Sequence, residues 1–310
     1  MNSPPPPSDG RTFPDRPTIQ IMMPYYGDPE LFRLAVISVR DQSDPNWQLV
    51  VIDDLYPDTA PGRWLTSLGD KRITYIRNAV NLGVSGNFSK AVEMAACEFT
   101  VIMGCDDLLL PDYVASVSDL VREFPEASYV QVGVEVIDGQ GGLTTPLADR
   151  VKGFYRPRTA RSIALAGEPL ARSLLKGNWT YFPSICWRTS VLKAHGFRAD
   201  LEVVLDLALQ IEIILAGGVM VLDRKPIFQY RRHNASVSSW MAQDGTRFQE
   251  EQAYFLSTAR LLRDHGWPRA ACAARFHVSS RLNAASKIPA ALHARDHGGI
   301  RSLSKHIFGL

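Results

Sequence analysis

Short apolar runs alternate with segments of helical spacing through the first third of the chain. The runs typical of strands are residues 19–23, 47–52, 73–76 and 99–103, with helical spacing at 31–39 and 88–96. Parallel strands need crossover connections, and helices usually supply them. The pattern therefore predicts an α/β fold with a doubly wound, mostly parallel central sheet.

The second half of the chain is less regular. An alternating run at 129–137 predicts a strand, and the long stretch 138–161, rich in Gly, Pro and Arg, predicts a loop. Further helices are expected at 163–175, 201–216, 249–263 and 269–287, and further strands at 220–223 and 226–230. These elements divide the chain into a disordered Pro-rich leader (1–17), a main domain (18–240) and a C-terminal helical extension (241–310).

Two adjacent carboxylates close the fourth apolar run. Asp106 and Asp107 follow it after Gly104 and Cys105, and Pro111 introduces a new element. Ligands of open α/β sheets bind at the carboxyl ends of strands, and paired carboxylates suit a divalent cation such as Mg²⁺ or Mn²⁺. The alternative is that the two acids cap the helix starting near Pro111.

A second candidate carboxylate lies on the apolar helix predicted at 201–216. Glu202, Asp206 and Gln210 fall at i, i+4 and i+8 and so share one face of it. Charged groups are rare on buried helices, which makes Asp206 a candidate general base. The alternative is a solvated stripe at the protein surface.

Two further segments, one polar and one aromatic, contain candidate binding residues. Arg231 and His233 begin a stretch of cations, imidazole and hydroxyls suited to a metal-diphosphate group, although a solvated loop is equally typical of it. Trp179 and Tyr181 lie in the turn-rich segment 177–184, where aromatic rings either stack on an acceptor sugar or serve ordinary packing.

Composition narrows the functional classes. The formal net charge of +2 over 310 residues argues against a general nucleic-acid-binding protein. The four cysteines form no Cys-x-x-Cys pair, so neither a zinc cage nor a disulfide framework is indicated. The N-terminus is not a signal peptide and no apolar run is long enough to span a membrane, which predicts a cytoplasmic protein.

The helical extension is basic and amphipathic. Its cations are Arg260, Arg263, Arg269, Arg275, Arg281 and Lys287, and its apolar side chains include Leu261, Leu262, Phe276 and Val278. Such a tail suits peripheral contact with the inner face of the plasma membrane, a homodimer contact, or packing on the main domain.

Over residues 18–239 the order of motifs resembles the family 2 inverting glycosyltransferases. The motifs are Ile21-Met22-Met23-Pro24-Tyr25, Ser38 with Gln42, Val50-Val51-Ile52-Asp53-Asp54, Asn81-Leu82-Gly83, Asp106-Asp107 with Pro111-Asp112, Asp206, and Tyr230-Arg231-Arg232-His233. The resemblance implies an A-type fold of the nucleotide-diphospho-sugar transferase kind, a sugar nucleotide donor, Mn²⁺ or Mg²⁺, and inversion at the anomeric carbon.

The resemblance also implies a role for individual residues. Asp53 accepts a hydrogen bond from the nucleobase, Pro24 and Tyr25 wall the base pocket, and Asn81 and Gly83 lie near base and ribose. Asp106 lies by ribose or metal, Asp107 is the main metal ligand, Asp206 is the base, and Arg231 and His233 face the diphosphate. The chain departs from the family at Gly104 and Leu205, where an acid is frequent, which leaves Glu202 as a substitute.

The predicted function is metal-dependent transfer of a hexosyl or deoxyhexosyl group from a UDP or dTDP sugar to a glycan or lipid-linked acceptor, in cell-wall or polysaccharide biosynthesis. A non-catalytic nucleotide-sugar-binding or scaffold protein of the same fold is one alternative. A nucleotidyltransferase is another, but the loop 24–30 lacks the basic residues it usually has there. A dinucleotide-binding dehydrogenase is excluded, because that loop offers only Gly27.

Overall fold

The computed structural model describes residues 16–232, 246–293 and 297–308. Most of the predicted leader and the predicted metal ligand His233 therefore lie outside the described residues. None of the helices in these three ranges is both long and apolar enough to cross a membrane.

A single nine-stranded sheet forms the centre of the described chain, in the order β3-β2-β1-β4-β8-β6-β9-β5, with β7 paired to β9. The strands are β1 Ile19–Tyr25, β2 Trp47–Asp53, β3 Ile73–Arg77, β4 Phe99–Ile102, β5 Leu108–Leu109, β6 Ala127–Ile137, β7 Ile163–Ala166, β8 Ile185–Arg188 and β9 Val219–Arg231. Strands β1, β2, β3, β4, β6 and β9 run in one direction, and β5, β7 and β8 run against them. The prediction of a mostly parallel sheet is confirmed.

Helices cover both faces of the sheet. They are α1 Pro29–Arg40, α2 Ala60–Ser67, α3 Gly83–Met94, α4 Tyr113–Glu123, α5 Leu147–Tyr155, α6 Gly167–Lys176, α7 Thr189–His195, α8 Leu205–Leu215, and, in the C-terminal extension, α9 Thr246–Asp264, α10 Pro268–Phe276, α11 Val278–His293 and α12 His297–Phe308. Alternation along β1 sends Ile21 and Met23 into one core with α1 and α4, and Met22 into the other with α3, α6 and α8. The fold is therefore doubly wound, as predicted.

Several predicted elements differ from those observed. The stretch 138–161 contains α5 rather than only loop, and residues 163–166, predicted as helix, form β7. The strands predicted at 220–223 and 226–230 are one strand, β9, whose register against β6 shifts around Gly133. A Cβ on Gly133 would lie 2.3 Å from the carbonyl oxygen of Arg224, so glycine permits this bulge. Strand β8 was not predicted.

The helical extension packs against the main domain. Tyr254, Phe255 and Leu262 share a core with Leu201 and Leu205. Leu262, one of the apolar residues predicted for a membrane-facing surface, is fully buried there and is not available to a lipid. Packing on the main domain, one of the three alternatives for the tail, is therefore observed for α9 and α10.

Two glutamates join the extension to the main domain through helix N-termini. Glu250 of α9 accepts hydrogen bonds from the backbone N–H groups of Glu202, Val203 and Val204 (2.7–3.2 Å), just ahead of α8. Glu168 of α6 accepts in the same way from the N–H groups at the start of α10. A carboxylate at a helix N-terminus satisfies unpaired donors and favours the helix dipole. Glu250 of the extension thus binds the start of α8 in the main domain, and Glu168 of the main domain binds the start of α10 in the extension.

Replacing Glu250 by alanine is expected to lower the free energy of unfolding by about 1–2 kcal/mol, because three N–H groups lose their acceptor. Urea denaturation measures the effect. The exposed Glu93 on α3 offers a matched control, since Glu93→Ala removes a carboxylate that caps no helix. Equal stabilities of the two variants would contradict the capping role.

Candidate functional site

The loop after β4 places its carboxylates at the carboxyl end of the sheet. Asp107 is buried, and its Oδ1 accepts a hydrogen bond from the backbone N–H of Arg231 (2.9 Å) at the end of β9. Burial raises the pKa of Asp107 well above its usual value, the charge of Asp106 raises it further, and the bond from Arg231 opposes the rise. An ionised Asp107 is thus costly here unless a cation compensates its charge.

Helix α1 holds this loop in place. Gln42 donates to the carbonyl oxygen of Leu110 (2.9 Å) and accepts from the N–H of Val114 (3.0 Å), while the Ser38 hydroxyl accepts from Leu109 N–H (3.1 Å). The following helix α4 starts after Asp112, well beyond the paired acids. The alternative reading of Asp106 and Asp107 as helix caps is therefore excluded.

Both carboxylates crowd the space beside Gly104. A Cβ at this position would lie 2.6 Å from Asp107 Oδ2 and 2.9 Å from Asp106 Oδ1. The two oxygens therefore converge on a small volume that a side chain at 104 would otherwise enter. No cluster of three or more His, Cys, Asp or Glu occurs within the described ranges. Mg²⁺ commonly takes one or two carboxylates and completes its shell with water and substrate phosphate, so the pair fits such an ion.

Arg231 does not direct a free guanidinium toward a diphosphate as predicted. It is buried, its Nε donates to the carbonyl oxygen of Asp106 (2.8 Å), and its Nη1 donates to those of Asp138 (2.9 Å) and Gly139 (3.4 Å). The side chain thus ties the acidic loop to the segment after β6. Its role in this arrangement is to position Asp106 and Asp107.

The next residue along the chain faces a different group of side chains. Arg232 pairs with Asp149 of α5, Nε to Oδ2 at 2.6 Å and Nη2 to Oδ1 at 2.9 Å. Tyr181 donates its hydroxyl hydrogen to the same carboxylate (2.8 Å), and its ring packs on Tyr230 with centroids 5.3 Å apart. Burial and the charge of Asp149 raise the pKa of Tyr181, so the phenol stays protonated.

Lys152 joins these residues to Asp206: its Nζ lies 4.2 Å from the centroid of the Tyr181 ring, and a chain of hydrogen bonds leads from it to Asp206. Lys152 of α5 donates to the carbonyl oxygen of Thr180 (2.7 Å), whose hydroxyl donates to Asn178 Oδ1 (2.7 Å). Asn178 Nδ2 then donates to Asp206 Oδ2 (2.9 Å). Burial lowers the pKa of Lys152 to about 8, and the negative charge of Asp206 opposes this lowering.

These contacts form one polar system, which we call the cross-site network. Its members are Arg232, Asp149, Tyr181, Lys152, Thr180, Asn178 and Asp206. Because Arg232 follows Arg231, whose N–H binds Asp107, the network connects the end of β9 beside the acidic pair to the first turn of α8. The candidate metal ligands and the candidate base are therefore joined through the same set of elements.

Glu202 lies apart from this network. It precedes α8, which begins at Leu205, and is exposed. The predicted stripe of Glu202, Asp206 and Gln210 on one helix is therefore wrong, since only Asp206 and Gln210 lie in α8. Gln210 donates to Thr180 Oγ1 (3.1 Å) and supports the network.

The predicted aromatic contacts are also revised. Trp179 is buried, with its Nε1 donating to Ser173 Oγ (3.0 Å), so it packs in the core and presents no face to a sugar. Tyr181 is nearly buried and belongs to the network. Tyr25 is fully buried against Phe32, and the exposed neighbouring ring is that of Tyr26.

The residues predicted to bind the nucleoside lie around the end of β2. Asp53 accepts from Arg77 Nη1 (2.7 Å), from the Tyr75 hydroxyl and from Tyr56 N–H (2.7 Å), and is buried. Asn81 donates to the carbonyl oxygen of Asp54 (3.0 Å) and accepts from Gly83 N–H (3.0 Å). Gly83 has φ +71° at the start of α3, a conformation that favours glycine. Pro24 occupies the buried end of β1 beside them.

Sequence reasoning missed Asp149, Lys152 and Asn178, and it gave Arg232, part of the motif at 230–233, no role of its own. Leu147, Val151 and Phe154 have helical spacing, which could have revealed α5, but that pattern would have turned Asp149 and Lys152 toward solvent. Observed α5 has the opposite orientation. Sequence periodicity therefore could not have placed its polar side chains in the site.

Comparison with known proteins identifies the family of this chain. The sequence model described as Glycosyl transferase family 2 matches residues 20–174, half of the chain. The putative colanic acid biosynthesis glycosyl transferase WcaA of Escherichia coli K12 is 34% identical over 94 residues. That similarity covers 30% of this chain and 33% of WcaA, so the chain matches a third of this relative's length.

Solved structures share the fold. TarS (residues 1–349) of S. aureus, in complex with UDP-GlcNAc, has a TM-score of 0.58 at 13% identity, over 94% of this chain and 92% of that one. The mannosyltransferase PcManGT of Pyrobaculum calidifontis, in complex with GDP-Man and Mn²⁺, has a TM-score of 0.60 at 17% identity, over 94% and 79%. At these identities the likeness establishes the architecture alone.

Proposed function

Because this chain belongs to glycosyl transferase family 2, we propose that it moves a sugar from a nucleoside diphosphate sugar to an acceptor hydroxyl by a single inverting displacement. The cross-site network is the observation that supports this most. It connects the acidic pair after β4, of which Asp107 is buried, with a half-buried carboxylate, Asp206, at the start of α8. Cation-held diphosphate and general base are the two functions that this reaction requires.

We assign Asp206 as the base. The acceptor oxygen attacks the anomeric carbon, its proton passes to Asp206, and the bond from that carbon to the diphosphate oxygen breaks. Asn178 holds Oδ2 of Asp206 by a hydrogen bond, which leaves Oδ1 as the oxygen that we assign to the proton. The negative charge of Asp206 in turn favours the cationic form of Lys152, against the burial that lowers the pKa of this lysine.

Asp106 and Asp107 would hold the divalent ion, Mn²⁺ or Mg²⁺. Bound there, it would supply positive charge to the leaving diphosphate. Arg231 fixes the carboxylates by bonding the Asp106 carbonyl and giving its N–H to Asp107. The buried, high-pKa state of Asp107 supports this assignment, because a cation offsets the charge that burial disfavours.

The donor and acceptor belong to the same proposal. TarS and PcManGT are described with UDP-GlcNAc and GDP-Man, so we propose a nucleoside diphosphate sugar donor here, with UDP or dTDP as the carrier. Asp53, with Pro24, Asn81 and Gly83 around it, is the proposed base and ribose region. We propose that the transferred group is a hexosyl or deoxyhexosyl group and that the acceptor is a hydroxyl of a glycan or of a lipid-linked molecule.

A panel of sugar nucleotides tests this proposal. The matching donor is expected to raise the melting temperature in the presence of Mn²⁺ and less so with chelator, since a ligand that binds only the folded state stabilises it. At a concentration 100 times the dissociation constant the stabilisation is about 2.7 kcal/mol. Free mononucleotides without the diphosphate are the matched control. Indifference to every nucleoside diphosphate sugar would contradict the proposal.

A further inference from the structure

Helix α5 has the reverse of the usual amphipathic orientation. Two of its polar residues, Asp149 and Lys152, face the protein: Asp149 binds Tyr181 and Arg232, and Lys152 binds the Thr180 carbonyl. Its apolar residues face outward, with Leu147 72%, Val151 42% and Phe154 76% exposed. These three fall at i, i+4 and i+7, on one side of the helix.

A fourth large apolar side chain is exposed just ahead of α5. Leu143, in the segment leading to α5, is 71% exposed. We call Leu143, Leu147, Val151 and Phe154 the α5 apolar face. Exposed clusters of large apolar side chains on a soluble domain mark interaction sites, whereas single exposed ones are ordinary. The α5 apolar face is therefore a surface to which another molecule binds.

The charge around this face indicates what that occupant is. Between residues 143 and 161 the sequence contains five Arg or Lys and one acid, Asp149, which is buried and paired with Arg232. Arg150, Arg158 and Arg161 are exposed. An apolar stripe flanked by arginines matches the interface of a bilayer with anionic headgroups, which binds both the apolar side chains and the cations.

Self-association fits these charges poorly. If two copies met through the α5 apolar face, each would bring its exposed arginines toward the other with no exposed acid of this segment to balance them. Like charges at close range disfavour such a contact. We therefore propose that the α5 apolar face docks on the surface of an anionic lipid bilayer.

The location of this surface has a consequence for the transfer reaction. The side of α5 opposite the apolar face supplies Asp149 and Lys152 to the cross-site network, and a helix with its side chains is about 10 Å across. Docking would hold that network about one helix diameter from the headgroups. This last step rests on the proposed function and would suit a lipid-linked acceptor, whereas docking itself does not depend on transfer.

Vesicle co-sedimentation of the intact chain, without donor, tests the docking. Binding is expected to vesicles that contain phosphatidylglycerol but not to those of phosphatidylcholine alone, and salt should weaken it. The variant Leu147→Ser/Phe154→Ser should bind roughly tenfold or more weakly. Its melting temperature should stay near that of the wild type, since the two side chains are mostly exposed.

Two further variants complete the design. Arg150→Glu/Arg158→Glu should weaken binding to anionic vesicles, while Phe276→Ser, at an exposed apolar residue of α10, should leave it unchanged. Absence of binding by the wild type at low salt would overturn the proposal, as would loss of binding only in Phe276→Ser. A dimer abolished by Leu147→Ser/Phe154→Ser, without vesicle binding, would identify a second copy as occupant instead. The affinity for the sugar-nucleotide donor is measured in a separate experiment, and none of these vesicle results changes what is expected of it.

Discussion

Replacing Asp107 by asparagine is expected to lower sugar transfer by roughly three orders of magnitude, equivalent to about 4 kcal/mol, while leaving the fold at least as stable. The amide keeps an oxygen that can accept from Arg231 N–H but lacks the charge that holds a cation. The pKa of Asp107 is raised in the fold above its ordinary value of 3.8. At neutral pH its ionised form therefore lowers the free energy of unfolding, and the neutral amide is free of that cost.

Two measurements separate these effects in Asp107→Asn: the transfer rate with saturating Mn²⁺, and the melting temperature with chelator. Asp112→Asn is the matched control, because Asp112 lies in the same loop region but forms a surface pair with Lys225 (3.0 Å). Surface pairs contribute about 0–1 kcal/mol, so this control should retain activity and stability. Undiminished transfer by Asp107→Asn would exclude Asp107 as the main metal ligand.

The second large effect concerns the base. Asp206→Asn is expected to lower the turnover number by about 10² to 10⁴ while the affinity for donor stays nearly unchanged, because the amide cannot accept the proton from the acceptor. The substitution keeps the size of the side chain and one oxygen beside Asn178. Single-turnover kinetics with donor bound would measure the chemical step, and calorimetry would measure the donor affinity.

Glu202→Gln is the control for this variant, and it distinguishes two assignments. Glu202 is exposed, lies ahead of α8 and takes no part in the cross-site network, so this change is expected to be nearly neutral. If Glu202→Gln lost activity and Asp206→Asn did not, the base would be Glu202 and the role of the network would have to be reassigned.

The sheet and the acidic pair could be predicted from local sequence. Residues 47–52 and 99–103 are mostly apolar runs that are followed by carboxylates. This pattern is typical of buried parallel strands with polar residues at their carboxyl ends. Because strand ends meet at one edge of a sheet, Asp53 and Asp107 could be placed there without knowledge of their contacts.

The rest of the site depends on long-range contacts that leave no periodic trace. Arg231 bonds carbonyl oxygens of residues about a hundred positions away, which its sequence neighbours do not indicate. Glu250 caps α8 from a separate helix, α9, and Trp179 is buried in a core that includes side chains of α6 and α8. The orientation of helix α5 could not be predicted, because the side with Asp149 and Lys152 faces the protein, against the usual rule for amphipathic helices.

The configuration of the product tests the central claim most directly. Proton NMR of the glycoside formed from an α-linked nucleoside diphosphate sugar reports the anomeric configuration through the coupling of the anomeric proton. A single displacement with Asp206 as base gives a β-linked product. An α-linked product would mean retention of configuration and would contradict the mechanism.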